Sequence, residues 1–217
     1  MTKELIKELL GENSEFVKNI GQGRFEGLED SQSPTITLLS CSDSRVPVNM
    51  VSHDTINKIF SIENIGNQIK TSEGSVDYGV LHLHTPLLVV MGHTGCGAIK
   101  SCFSDFTKEN EGIVRELEFL TGGLAEMDNS FAHDDSERIE KYAELNVDYQ
   151  ILYAAEKYRE LVENERLSII GLMADLNCTY GEEKGKVYIT NFNCETVTGK
   201  INEKLKLDNT QRIKRLV

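Results

Sequence analysis

The chain has 217 residues, 39% hydrophobic and 27% charged, with a formal net charge of −12. That composition fits one soluble globular domain over residues 1–217 with enough chain to bury a core. The long-range negative field disfavours free-standing contact with nucleic acid or an anionic membrane, because it repels phosphate.

Taken in chain order, residues 2–20 read as an amphipathic helix, with Leu5, Leu9, Phe16 and Ile20 at helical spacing and charges between them. Gly21-Gln22-Gly23 stops it, so residues 1–30 form an N-terminal helical arm that packs on its own domain or on a partner. The arm has no apolar signal core, and no apolar run in the chain approaches bilayer length. Cys41, Cys96, Cys102, Cys178 and Cys194 are odd in number and irregularly spaced. They make no disulfide framework, and a reducing cytoplasm is expected.

Thr35–Ser40 is a β-branched apolar run after Pro34 and predicts a buried strand. Ile56–Ile62 predicts a second, with Phe60 inside it, and Leu87–Met91 a third. Residues 73–83 and 97–103 predict helices. Residues 104–140 are polar and glycine-containing, read as a helix beside a loop. A helix over residues 140–163 then leads to a fourth strand at Ser168–Leu172. Lys186–Asn191 and Thr196–Ile201 read as a terminal antiparallel pair. Strands alternating with helices imply an α/β fold: a mostly parallel central β-sheet flanked by helices, with the N-terminal arm and antiparallel edge strands.

Two loops each follow an apolar strand directly: Cys41-Ser42-Asp43-Ser44-Arg45 and His93-Thr94-Gly95-Cys96-Gly97. Loops at the carboxyl ends of parallel strands form the ligand crevice, so neighbouring strands would bring Cys41, His93 and Cys96 together. Two thiolates and an imidazole suit Zn2+, and three protein ligands leave the open fourth position of a catalytic zinc. Taken singly, Cys41 reads as a small core residue and His93 as a helix cap; only the joint occurrence of both loops makes the metal reading. Asp43, two residues beyond Cys41, is placed either to occupy the open position or to accept a hydrogen bond from water there, and Arg45 can grip it with parallel hydrogen bonds.

Cys41-Ser42-Asp43-Ser44-Arg45-Val46-Pro47 and Gly92-His93-Thr94-Gly95-Cys96-Gly97-Ala98 resemble the paired signature of the β-class carbonic anhydrases. Glu63-Asn64-Ile65-Gly66-Asn67 resembles the segment written R-N-A-G-N, and Ser75–Leu83 resembles the S-I-E-Y-A-V-x-x-L helix. The resemblance covers roughly residues 30–102. It implies Cys41, His93 and Cys96 as zinc ligands, with Asp43 and Arg45 as the catalytic dyad. It implies that Gln32, Phe60, Ile65, Tyr78 and the Gly97 amide contact substrate. It further implies reversible hydration of carbon dioxide to bicarbonate by zinc-bound hydroxide, in a homodimer or larger homo-oligomer whose pockets are partly supplied by the neighbour.

Two departures bear on the site. Glu63 stands where the family has arginine, and the chain has no tryptophan. Both groups are associated with a closed form in which the aspartate binds zinc, so an open site with Asp43 paired to Arg45 is expected. The rival readings are a carbonyl sulfide or carbon disulfide hydrolase on the same scaffold, and a non-catalytic zinc module. A nucleotide-binding protein is disfavoured, because no glycine-rich phosphate loop follows the first strand.

Overall fold

The computed structural model describes residues 1–131, 138–208 and 210–217. The chain forms two compact units, Met1–Ser33 and Pro34–Val217. In the first, helix α1 spans Thr2–Ile20 as the hydrophobic spacing predicts, and none of its residues is buried. It stops at Gly21, whose φ of 79° lies in the left-handed region that favours glycine.

The second unit is built on a five-stranded sheet in the order β2-β1-β3-β4-β5. The strands are β1 Ile36–Cys41, β2 Ile59–Asn64, β3 Leu87–His93, β4 Ser168–Asp175 and β5 Lys186–Phe192. β1 pairs in parallel with β2 and β3, and β3 with β4; β5 runs antiparallel on β4. The helices are α2 Glu73–Asp77, α3 Gly97–Ser101, α4 Glu111–Met127, α5 Ile139–Lys157, α6 Arg159–Glu163 and α7 Thr198–Leu205.

Alternation along the strands assigns side chains to the two faces. Leu39, Leu88, Val90 and Ile169 join a core with Tyr142, Val147 and Ile151 of α5. Leu38, Val89 and Met91 face the other way, with Val46 and Ala174. Burying each large aliphatic side chain contributes about 1.5–3 kcal/mol, so these strands supply much of the force that holds the sheet to its helices. α5 is unusual in being buried around much of its circumference, including Glu144, Asn146, Asp148 and Gln150.

Three sequence expectations need correction. Thr196–Ile201 is not a strand; the chain forms α7 there, burying Ile201, and β5 pairs with β4 instead. Its Lys-Ile-Asn-Glu-Lys-Leu run favours a helix once the bulky residues lie four apart. β2 begins at Ile59 rather than Ile56, because Asn57 takes a left-handed φ of 55° that a strand does not admit. The helix expected over 140–163 is two, divided at Tyr158, whose φ and ψ of −107° and 27° are not helical. His133 lies outside the described residues.

Candidate metal centre

β1 and β3 are adjacent and parallel, so the loops leaving Cys41 and His93 meet at one end of the sheet. One ligand atom from each of Cys41, His93 and Cys96 lies within 4.8 Å of the others, and all three residues are buried. The His93 ring is held by Nδ1, 3.0 Å from the Thr94 carbonyl oxygen. Nε2 is buried and has no hydrogen-bond partner among the described residues. Leaving a buried ring nitrogen unpaired costs free energy, and a cation among the three donors removes that cost. The donor set fits zinc on its chemistry as well, two soft sulfurs and an imidazole.

The three donors act strongly on one another. The neighbouring Cys96 pulls the Cys41 thiol down to about 4, against the opposing effect of burial and with His93 adding to the fall. The neighbouring Cys41 sulfur, with burial, pushes Cys96 well above the usual thiol range. Burial opposes charge on His93, but the nearby Cys41 sulfur outweighs it and raises that imidazole. The main chain at Ile99 and Ala98, at the start of α3, works against the rise at Cys96.

Asp43 and Arg45 sit beside the donors. Arg45 donates from Nε to Oδ1 at 2.8 Å and from Nη2 to Oδ2 at 2.7 Å, and its backbone N–H reaches Oδ1 at 3.0 Å. A further bond runs from Nη2 to the Gly95 carbonyl at 3.1 Å, tying the first loop to the second. The Arg45 guanidinium holds the Asp43 carboxyl well below the usual carboxylate range. Asp43 Oδ2 lies 3.8 Å from His93 Nε2.

The other residues singled out in the sequence divide by position. Ile65 follows Asn64, the register partner of Cys41, and Gly97 follows Cys96, so both adjoin the donors. Phe60 pairs with Thr37, four residues before Cys41. At ~3.3 Å per residue, that puts Phe60 ~13 Å along the sheet from the metal-binding end. Tyr78 goes with Phe60, their ring centroids 5.7 Å apart, and is 44% exposed. It opens a π-helical turn, Tyr78–His82, of a kind frequent at functional sites. Gln32 belongs to the N-terminal unit.

The carbonic anhydrase family profile matches residues 36–181, the span that holds the whole sheet up to β4 and both ligand loops. The chain belongs to the carbonic anhydrase family, and its fold is that of the β class. A carbonic anhydrase of Helicobacter pylori is 30% identical over 185 residues, 77% of this chain and 81% of its own length. One from Mycolicibacterium smegmatis is 34% identical over 100 residues, 45% of this chain; there the chain spans about half the length of its relative, 48%. Among solved structures, a tetrameric β-carbonic anhydrase of Sordaria macrospora superposes with a TM-score of 0.70 at 24% identity, covering 86% of this chain and 96% of that one. A Coccomyxa β-carbonic anhydrase in complex with acetazolamide gives 0.71 at 20% identity, with 90% of each chain covered.

Proposed function

We propose that this carbonic anhydrase family member catalyses the reversible hydration of carbon dioxide to bicarbonate and a proton, with Cys41, His93 and Cys96 holding a zinc ion. The observation that carries the reading is the buried triad of donors, with His93 Nε2 left without a hydrogen-bond partner among the described residues. Bound there, zinc supplies the Lewis acidity that makes water a nucleophile near neutral pH.

The chain's own residues do the rest. Thr94 fixes the His93 ring so that Nε2 faces the sulfurs. Arg45 keeps Asp43 ionised and turned aside, so the carboxylate acts as a hydrogen-bond acceptor orienting the attacking water, and the fourth coordination position stays open. Ile65 offers apolar surface to an apolar substrate without binding the charged product tightly. The Gly97 N–H donates to the oxygen on which charge develops.

Phe60 and Tyr78, read as aromatic pocket residues, lie too far along the sheet to reach the donors of their own chain. We therefore assign them, with Gln32, to the site of a second copy, making a homodimer the smallest complete enzyme. The N-terminal arm with its exposed Leu5, Leu9 and Phe16 is the segment we assign to covering that neighbour. No helix among the described residues is long and apolar enough to cross a membrane. We place the enzyme in a reducing cytoplasm, which keeps the two ligand thiols free.

The deciding experiment measures zinc content and stopped-flow carbon dioxide hydration on the purified protein, beside carbonyl sulfide hydrolysis on the same sample. Zinc near one equivalent with fast hydration of carbon dioxide supports the proposal. Faster turnover of carbonyl sulfide would move the assignment to that substrate, and a zinc-free but fully active protein would remove it.

A further inference from the structure

The His93 ring is held by a carbonyl oxygen that must itself be held. Nδ1 lies 3.0 Å from the Thr94 carbonyl. A carbonyl oxygen only accepts, so Nδ1 carries the proton and Nε2 keeps its lone pair. That is the tautomer a metal needs at Nε2. A neighbour in sequence fixes a ring only if its own peptide is fixed.

Thr94 is fully buried, and β4 fixes it at two points. Its N–H donates to the Ala174 carbonyl at 3.0 Å, extending the β3–β4 ladder one step past the His93–Ala174 pair. Its Oγ1 accepts from the Leu176 N–H at 2.8 Å.

The Leu176 N–H is presented by a turn with one defined shape. β4 ends at Asp175, and the chain wraps around the carboxylate of that residue. Oδ1 accepts from the N–H groups of Asn177 and Thr179 at 3.3 and 3.0 Å. Oδ2 accepts from those of Tyr180 and Gly181 at 2.8 and 3.2 Å. Asp175 is fully buried. A buried carboxylate is costly unless hydrogen-bonded, and bonds to an ionised acceptor are roughly twice as strong as neutral ones. The far end of the turn is anchored too, because the Tyr180 hydroxyl donates to Glu144 Oε2 at 2.5 Å. Leu176 is the first residue of the turn so gathered.

We infer that Thr94 and Asp175 are positioning residues for the metal centre. The Asp175 carboxylate shapes the turn after β4, the turn holds the Thr94 hydroxyl through the Leu176 N–H, and Thr94 holds the His93 ring with Nε2 free for an ion. The inference rests on the zinc reading above and carries it to β4, outside both ligand loops. Groups that orient metal ligands in this way typically tune affinity by about 10–100-fold.

Thr85 provides the control. It is equally buried, and its hydroxyl bonds the Thr37 hydroxyl at 2.7 Å and the Gly79 carbonyl at 3.2 Å, contacts that include none of the three donors. Zinc dissociation constants are measured by competition with a chromophoric chelator for the wild-type chain, Thr94→Val, Thr94→Ser, Asp175→Asn and Thr85→Val, with melting curves for each. Thr94→Val loses the hydroxyl, and Asp175→Asn turns an NH2 toward N–H donors. Both bind zinc about 10–100-fold more weakly. Thr94→Ser keeps the hydroxyl and stays close to wild type. Thr85→Val melts lower and keeps its zinc affinity. Wild-type affinity in Thr94→Val or Asp175→Asn, or an equal loss in Thr94→Ser or Thr85→Val, overturns the inference. A wild-type chain that binds no zinc removes the metal reading itself, and the inference with it.

A second measurement uses the wild-type protein alone and decides the matter if the variants do not fold. In the zinc-loaded chain, nitrogen-15 spectra of His93 show the proton on Nδ1 and the metal on Nε2, and the Leu176 amide exchanges slowly with deuterium. A metal on Nδ1, or a Leu176 amide that exchanges as fast as an unstructured peptide, also overturns the inference.

Discussion

At the carboxyl end of β1 and β3, Cys41, His93 and Cys96 are 6%, 0% and 2% exposed, and their donor atoms converge within one chain. Along the sheet toward its other end, Phe60 and Tyr78 form an aromatic pair on the rim, with Tyr78 44% exposed and its ring 4.5 Å from that of His82. Both regions come from the stretch that resembles the family most closely, yet one is finished and the other is open. On the proposed reading, a single chain suffices to hold the ion, while the substrate pocket needs two. Metal binding and catalysis should therefore fail separately.

The largest separation comes from the ligands. Cys96→Ser removes one of three donors, and the expected result is loss of bound zinc and of measurable hydration, read by metal analysis and stopped-flow. Tyr78→Ala is expected to keep its zinc and lose most of its kcat/KM. Mixing then sharpens the comparison. In an isologous dimer each subunit lends the same patch to the other. Co-refolded Cys96→Ser and Tyr78→Ala chains form mixed dimers in which one site has both its donors and its tyrosine. Random pairing should restore roughly a quarter of the wild-type sites. Activity no higher than the sum of the two parents would show that each pocket is built within one chain.

Next in size is the packing beneath the rim. Gly79 follows Tyr78, and a Cβ there would lie 2.2 Å from Thr37 Oγ1 and 2.9 Å from Thr37 Cγ2. Thr37 cannot swing away freely, because it is fully buried and its hydroxyl is 2.7 Å from that of Thr85. Gly79→Ala should cost about 1–3 kcal/mol by overpacking, seen as a lowered urea midpoint, and should depress kcat/KM while leaving zinc affinity unchanged. A loss of zinc in this variant would break the division between the two regions.

How much of this the sequence disclosed depends on whether a feature is local. The two ligand loops were legible because each puts metal-binding side chains directly after an apolar run, and adjacent parallel strands then had to bring them together. The Asp43–Arg45 pair was legible because its partners are two residues apart. The bonds between α5 and the turn after β2, Asn146 to the Gly66 carbonyl and the Ile69 N–H to Gln150, were not, since periodicity reports polarity and not whether the polar face is covered. The four buried polar residues of α5 even flatten the pattern that would mark its inner face. Thr196–Ile201 was misread for the opposite reason: six residues with alternating bulk fit a strand as well as a helix turn, and only packing of Ile201 decides. Phe60 and Tyr78 were expected as pocket residues, and the structure shows only that their rings pair with each other, away from the donors of their own chain.

The smallest effect tests the finished region from within. Arg45 makes two side-chain bonds to Asp43 and a third to the Gly95 carbonyl, all from one planar guanidinium. Lysine keeps the charge but offers a single ammonium on a flexible stem, so it cannot reproduce the fork. Arg45→Lys should leave zinc affinity near wild type, because none of the three donors is touched. With its carboxylate less restrained, Asp43 should spend part of its time turned toward the ion, 3.8 Å as its oxygen already is from His93 Nε2. The expected cost is about tenfold in kcat/KM, or ~1.4 kcal/mol, with the loss growing at lower ionic strength as the carboxylate and the cation attract each other more strongly. An unchanged kcat/KM would mean that Arg45 is a loop staple only, and that the open coordination position is kept open by something other than its grip on Asp43.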